Sequence, residues 1–176
     1  LIIGGKELDS DGGAAKAGNG IPVFEIDVLG TANKPSNLGI ISSTNGALKT
    51  VNIETHADNL TGSHASLTVR DGIQQFVGNN AANAVMGNME TINANALLGN
   101  LNIGQDTAQL NTDTFTATGG GNVTYNAVIN GTEKGVFTNT TGSGNDRITI
   151  NLDGDAVDTV STSFAVNAGG GNNKVS

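Results

Sequence analysis

The residues best suited to chemistry in this sequence form one glycine- and aspartate-containing run, Thr141-Gly142-Ser143-Gly144-Asn145-Asp146-Arg147-Ile148-Thr149. The run matches the nonapeptide G-G-x-G-x-D-x-U-x at every specified position except the first glycine. Gly142 and Gly144 let the backbone turn so that carbonyl oxygens point inward, and Asp146 supplies a carboxylate. A hard cation such as Ca²⁺ binds roughly six to eight oxygens, so one turn gives about half of a site. The run therefore predicts a Ca²⁺ site at Asp146 that a second, stacked turn completes.

A related run near the end of the chain could provide that second turn. In Ala168-Gly169-Gly170-Gly171-Asn172-Asn173-Lys174-Val175-Ser176, Asn173 stands where the aspartate would be, 27 residues or three nonapeptides after Asp146. A more degenerate copy, Gly154 to Val160, lies between the two, and Asp153 and Asp155 are candidate additional ligands for the Asp146 region. The other interpretation is a plain glycine turn before a strand, with the Asp146 carboxylate capping the turn.

Two histidines could in principle form a metal or acid–base site. His56 and His64 lie eight residues apart, with Glu54 and Asp58 nearby, and one strand would place residues 54, 56 and 58 on the same face. Histidines in a Thr- and Asn-rich segment are more often simple surface residues. No serine lies in the G-x-S-x-G pattern of a nucleophile elbow. We therefore expect a protein that is not an enzyme.

The elements that must position these residues are short strands. Alternation of apolar and polar residues between glycine and asparagine turns predicts them, whereas the helical period is largely missing. One short helix is conceivable within Gly72 to Met86. The predicted strands are Pro22 to Leu29, Leu48 to Ile53, Leu67 to Val69, Met89 to Asn93, Leu101 to Ile103, Asp113 to Thr118, Val123 to Ile129 and Arg147 to Leu152.

Imperfect internal repetition indicates how these strands are arranged. Lys49 to Ile53 is echoed by Glu90 to Ala94, and each is followed by a Leu, a Gly and another short strand. Repetition of this kind indicates stacked coils that bury their apolar faces on each other. We therefore predict an all-β fold with β-solenoid rungs, of the parallel β-helix or β-roll type. Asn130-Gly131 is a type I′ hairpin signal, which leaves a hairpin insertion or a β-sandwich as alternatives.

The repetition also suggests how the chain divides. We assign residues 1–140 to a β-rich structural domain and residues 141–176 to a glycine/aspartate repeat segment that continues the same β-stack. The chain begins without Met inside an apolar run, and we expect it to be a piece of a longer polypeptide.

Composition excludes several classes of function. The 176 residues include 26 Gly and no Cys, so disulfides and thiolate metal sites are excluded. The net charge is −8, and the eight Lys and Arg are scattered singly. Nucleic-acid binding needs clustered positive charge and is not expected. No apolar stretch approaches the roughly 20 residues of a membrane span, so membrane insertion is not expected either.

The run around Asp146 resembles the hemolysin-type (RTX) calcium-binding repeat of type I secreted bacterial proteins. The stretch from Glu90 to Ile103 resembles segments of bacterial surface-layer proteins and large adhesins. The resemblance implies calcium dependence, secretion to the extracellular bacterial cell surface and a structural role in a surface-layer lattice, with self-association or neighbouring domains of a longer chain as partners. An adhesin, or the non-catalytic carrier region of a type I secreted enzyme, is the alternative. Members usually carry several such nonapeptides in tandem, and here only one is well matched.

Two further interpretations rank lower. Flat Thr-rich strands such as Thr112 to Thr118 could bind sugar or ice, but ice binding requires Thr at the same place in successive coils, and the sequence shows no such regularity. A polysaccharide lyase needs a basic residue poised near bound carboxylates, and Arg70, Arg147 and a few Lys are the only choices.

Overall fold

The computed structural model describes residues 2–3, 21–44, 48–70, 72–76, 89–104, 112–129, 136–152 and 163–176. Asp153, Asp155 and the turn Asn130-Gly131 lie outside the described residues. The described strands are β1 (Ile2–Ile3), β2 (Val23–Val28), β3 (Ser36–Leu38), β4 (Ile41–Thr44), β5 (Thr50–Thr55), β6 (Leu67–Val69), β7 (Ile73–Phe76), β8 (Met89–Ala96), β9 (Leu101–Ile103), β10 (Thr112–Ala117), β11 (Val123–Ile129), β12 (Val136–Thr141), β13 (Arg147–Leu152), β14 (Ser163–Asn167) and β15 (Lys174–Val175). One 3₁₀-helix, η1, spans Ala57–Asn59.

The strands form three parallel sheets. The first six-stranded sheet has the order β14-β12-β10-β8-β5-β2, and the second has the order β15-β13-β11-β9-β6-β3. A third, three-stranded sheet has the order β1-β4-β7. Each strand of the first sheet is followed along the chain by a strand of the second, and we number these strand pairs one (β2 and β3) to six (β14 and β15). The residues that join the two strands of a pair form its corner.

This arrangement is a β-solenoid, and the fold class predicted from the sequence is confirmed. The hairpin prediction at Asn130-Gly131 is wrong, because β11 and β12 do not pair. β11 pairs in parallel with β9 and β13, whereas β12 pairs in parallel with β10 and β14 in the other sheet.

Alternating side chains explain why the strands bury one face. In a strand, successive residues point to opposite faces, and stacking in register brings equivalent residues into columns. One inward column of the first sheet holds Val51, Ile92 and Phe115, all with no exposed surface. The opposed column of the second sheet includes Ile103 and Tyr125. These columns form one continuous apolar core along the stack.

The internal repetition seen in the sequence matches the register. Thr50 aligns with Thr91, and Leu67 aligns with Leu101, as the echoed segments predicted. The short helix considered within residues 72–86 is wrong for its first part, since Ile73–Phe76 is a strand, and residues 77–86 lie outside the described residues.

Candidate metal site

The corners of the later strand pairs are joined by a ladder of asparagine side chains. The Oδ1 atom of Asn100 accepts a hydrogen bond from the backbone N–H of Asn122 at 2.8 Å. Asn122 Oδ1 accepts from the N–H of Asn145, and Asn145 Oδ1 accepts from the N–H of Asn172, both at 2.8 Å. Each asparagine therefore satisfies a backbone donor in the next corner, where the strand ladder is interrupted.

Glycines let these corners stack closely. A Cβ atom built on Gly144 would lie 2.4 Å from the carbonyl oxygen of Gly121 in the preceding corner. One built on Gly142 would lie 2.9 Å from the carbonyl oxygen of Thr118. The sequence predicts that Gly142 and Gly144 allow the backbone to turn, but neither glycine has a positive φ angle. Their role in the structure is to allow close approach of successive backbones.

Asp146 lies at the inner end of the fifth corner and is 2% exposed. Its Oδ1 atom accepts a hydrogen bond from the N–H of Val123 in the fourth strand pair at 2.9 Å. Its own N–H donates to Asn173 Oδ1 in the sixth corner, also at 2.9 Å. Asp146 and Asn173 are therefore stacked neighbours, as the sequence predicted. The separation of 27 residues corresponds to one step of the parallel stack, as in the pairing of Arg147 with Lys174, instead of three nonapeptide turns.

Asp146 and Asn173 differ in their second polar side-chain atom, which is Oδ2 in Asp146 and Nδ2 in Asn173. Asn173 Nδ2 donates to the carbonyl oxygens of Ala168 and Gly170, at 2.7 and 2.8 Å. The fifth and sixth corners align without a gap, because Thr140 pairs with Asn167 and Arg147 pairs with Lys174. Asp146 Oδ1 and Asn173 Oδ1 both accept a backbone N–H from the preceding strand pair. Asp146 Oδ2 thus corresponds to the donating amide of Asn173.

The fifth corner thus lacks the hydrogen bonds that the Asn173 amide makes in the sixth. Thr141 and Ser143 align with Ala168 and Gly170, but the positive φ angles of Gly169 and Gly171 have no counterpart at Gly142 and Gly144, so the alignment does not set the direction of the two carbonyls relative to Asp146 Oδ2. That atom is buried and has no hydrogen-bond partner. A buried carboxylate oxygen without a donor is costly, and a hard cation is a partner that would satisfy it. The unpartnered Asp146 carboxylate therefore fits a hard cation such as Ca²⁺ as one ligand.

The remaining predicted ligands contribute differently. Gly142 and Gly144 allow the fifth corner to stack closely, and the Asn173 amide donates hydrogen bonds within the sixth corner. Asp153 and Asp155 lie outside the described residues. Within the described part of the chain, no cluster of three or more His, Cys, Asp or Glu side chains is found that could hold a metal ion. Asp146 is thus the one carboxylate at this corner among the described residues.

Sequence reasoning missed two buried polar residues beside Asp146. Asn139 and Thr141 lie on β12 and point inward, at 4% and 3% exposure. Asn139 Oδ1 and Thr141 Oγ1 have no hydrogen-bond partner. Little in the sequence indicates them, because β12 has only two apolar residues, Val136 and Phe137, and its pattern does not predict a strand.

The two histidines have separate partners. The strand containing Glu54 ends at Thr55, so residues 54, 56 and 58 do not share a strand face. His56 Nδ1 accepts from the N–H of Asp58 at 3.1 Å, which leaves Nε2 facing Asp27 Oδ2 at 3.5 Å. His64 Nδ1 lies 2.9 Å from the carbonyl oxygen of Asn59. Both imidazoles brace the loop after β5.

A small charged cluster lies where the strands of the first sheet begin. Lys49 Nζ is 3.5 Å from Glu90 Oε1, and both side chains are substantially exposed. Partial burial raises the pKa of the Asp113 carboxyl above its ordinary value, Glu90 raises it further, and Lys49 lowers it. An exposed pair of this kind contributes little to stability.

The outer face of the first sheet carries a regularity that the sequence did not reveal. The register aligns Thr50, Thr91, Thr114 and Thr138 in four successive strands. We call these four residues the threonine column. The next outward column holds Asn52, Asn93, Thr116 and Thr140. The expectation that Thr does not recur in successive coils is therefore wrong.

Comparison with known proteins identifies no relative. No protein-family model matches the chain, and neither a curated protein nor a solved structure matches it significantly. The described residues contain no helix long and apolar enough to cross a membrane.

Proposed function

We propose that this chain is a structural segment of a secreted bacterial cell-surface protein, of the kind that builds a surface-layer lattice, and that Ca²⁺ stabilises it. The observation that carries the proposal is the buried Asp146 Oδ2 atom, which has no hydrogen-bond partner, whereas the aligned Asn173 amide donates to two carbonyls in the next corner. A cation at this place would join β12 to β13. An adhesin, or the carrier region of a secreted enzyme, could use the same scaffold.

The continuous stack supports a mechanical role. Parallel hydrogen bonding runs through six strands in each of two sheets, so a load along the stack is shared by many backbone bonds. Calcium would couple folding to location: the chain would remain loose where calcium is scarce and order outside the cell.

The last strand pair supports self-association or contact with a neighbouring domain. β14 and β15 form one edge of their sheets. Phe164 and Val175 are 39% and 50% exposed, whereas their equivalents one pair earlier, Phe137 and Ile148, are buried. Strand edges with exposed apolar side chains are templates for further strands.

Exchange of Asp146 for asparagine tests the calcium part of the proposal. In EGTA, Asp146→Asn should be more stable than the wild type by about 1 kcal/mol, because it removes a buried carboxylate charge whose Oδ2 atom has no partner. In millimolar Ca²⁺ the wild type should gain about 2 to 3 kcal/mol if calcium is near 100 times its dissociation constant, and the variant should gain nothing. Thermal melting followed by circular dichroism measures both effects.

Asp58→Asn is the matched control, since its carboxylate is strongly exposed and the charge change is the same. It should respond to calcium like the wild type. Equal melting temperatures of the wild type in EGTA and in Ca²⁺ would reject calcium as a structural cofactor of this segment.

A second candidate function is binding to ice, favoured by the threonine column. Neighbouring strands are about 4.8 Å apart, and alternate residues of one strand are about 6.7 Å apart. The two outward columns therefore form a flat, two-dimensional array of hydroxyl and amide groups. Such an array can order water with spacings close to those on a face of an ice crystal.

Inhibition of ice recrystallisation by the purified chain tests this candidate. A lysine in the middle of the array, Thr114→Lys, should abolish the inhibition because it breaks the flat surface. Asn102→Lys is the control, since Asn102 is an exposed residue on the second sheet. A wild-type chain without inhibition, or equal loss in both variants, would remove ice from consideration.

A further inference from the structure

Three buried oxygen atoms without a partner share one layer of the core. They are Asn139 Oδ1, Thr141 Oγ1 and Asp146 Oδ2, and all belong to strand pair five. Each residue is at most 4% exposed. A buried polar atom that is left unsatisfied costs about 1 to 3 kcal/mol. Three such atoms in one layer call for a common partner.

The equivalent core positions in the neighbouring strand pairs are apolar. The register aligns Asn139 with Phe115 before it and Val166 after it. Thr141 aligns with Ala117 in the fourth strand pair. The solenoid core at these positions is otherwise apolar, and side chains of similar size without oxygen would fit the same stack. The replacement of apolar residues by polar ones is therefore confined to one coil at these positions.

Strand β12 also brings its two polar residues to the same side as the corner. Asn139 and Thr141 are two residues apart, so both point inward, with Cα atoms about 6.7 Å apart. Thr141 is the last residue of β12, and the four-residue corner 142–145 joins it to Asp146. The unpartnered atoms at this place are all oxygens, the ligand atoms that hard cations prefer.

We propose that the cation lies inside the coil and is bound by β12 as well as by the corner, with Thr141 Oγ1 and Asn139 Oδ1 joining Asp146 Oδ2 as its ligands. This inference rests on the proposed calcium function and deepens it. The nonapeptide motif assigns ligands only to the turn, whereas this site draws two side chains from the preceding strand. Asp146 supplies its negative charge and the other two side chains supply neutral oxygens.

Isothermal titration with Ca²⁺, together with melting in EGTA, tests the inference on the 176-residue chain. Thr141→Val and Asn139→Leu remove the oxygens and keep similar volumes. Each should weaken Ca²⁺ binding on the order of tenfold or more. Each should also melt in EGTA at or above the wild-type temperature, because an unpaired buried polar group has been removed. Thr124→Val, an outward residue on β11, should change neither quantity.

Replacing a ligand should weaken Ca²⁺ binding without lowering the melting temperature in EGTA. Replacing a merely structural residue should lower the melting temperature instead. Wild-type calcium affinity in both Thr141→Val and Asn139→Leu, with loss in Asp146→Asn, would overturn this inference and leave the proposed calcium function intact. A wild-type chain that binds no Ca²⁺ would overturn both. A fall in EGTA melting temperature with unchanged affinity would show that buried water or packing satisfies these oxygens, and would also overturn the inference.

Discussion

Replacing Gly121 by alanine is expected to destabilise the solenoid by about 3 kcal/mol. A Cβ atom at this position would lie 2.1 Å from the carbonyl oxygen of Gly99 and 2.5 Å from its carbonyl carbon. Both atoms are backbone of the preceding corner, so no flexible side chain can move aside. Relief requires the third and fourth corners to separate, which would strain the asparagine ladder between Asn100 and Asn122. For a chain of this length the melting temperature should fall by on the order of 10 °C.

Gly170→Ala is the matched control for this steric argument. A Cβ atom there would approach no atom closer than Ser143 Cα, at 3.6 Å, and the φ angle is not positive. This variant should melt within a degree or two of the wild type. Equal losses in the two variants would mean that glycine matters in these corners through backbone freedom, and that close stacking is not the reason for its use.

The sequence reveals the solenoid where side chains alternate cleanly. The strands at Val123–Ile129 and Arg147–Leu152 were predicted with their bounds, because Val, Ile and Leu mark the buried face. Val136–Thr141 and Ser163–Asn167 were missed, since threonine, asparagine and serine fill most of their positions. These strands form because their neighbours supply the backbone partners, which is a tertiary effect that local pattern does not report.

For the same reason, the sequence predicts only part of the candidate site. Asp146 stands in a motif whose spacing carries meaning, so it could be chosen without a structure. Thr141 begins that motif but was read as part of a turn, and Asn139 lies in an unrecognised strand. Only the register shows that both point into the core. The threonine column was hidden likewise, because coils of unequal length change the spacing between its members.

Truncating Phe115 to alanine should cost about 4 kcal/mol of stability, the largest single loss we expect. The Phe115 ring is fully buried and stacks on Tyr125, with centroids 4.0 Å apart and planes 4° from parallel. Phe115 lies on β10 and Tyr125 on β11, so the two rings join the two large sheets across the core of strand pair four. Alanine would leave a cavity that the rigid strands on either side cannot close. Denaturant unfolding measured by circular dichroism gives the loss directly.

Val136→Ala provides the comparison on the adjacent strand, because Val136 is 64% exposed and its truncation opens no cavity. It should cost less than about 0.5 kcal/mol. A loss in Phe115→Ala no larger than this would mean that the rings contribute little and that backbone pairing alone holds the sheets in place. A loss with a reduced denaturant slope would instead indicate that strand pairs on the two sides of the fourth unfold separately, since the slope follows the surface exposed in one cooperative step. The aromatic stack would then be the joint that makes the solenoid cooperative along its length.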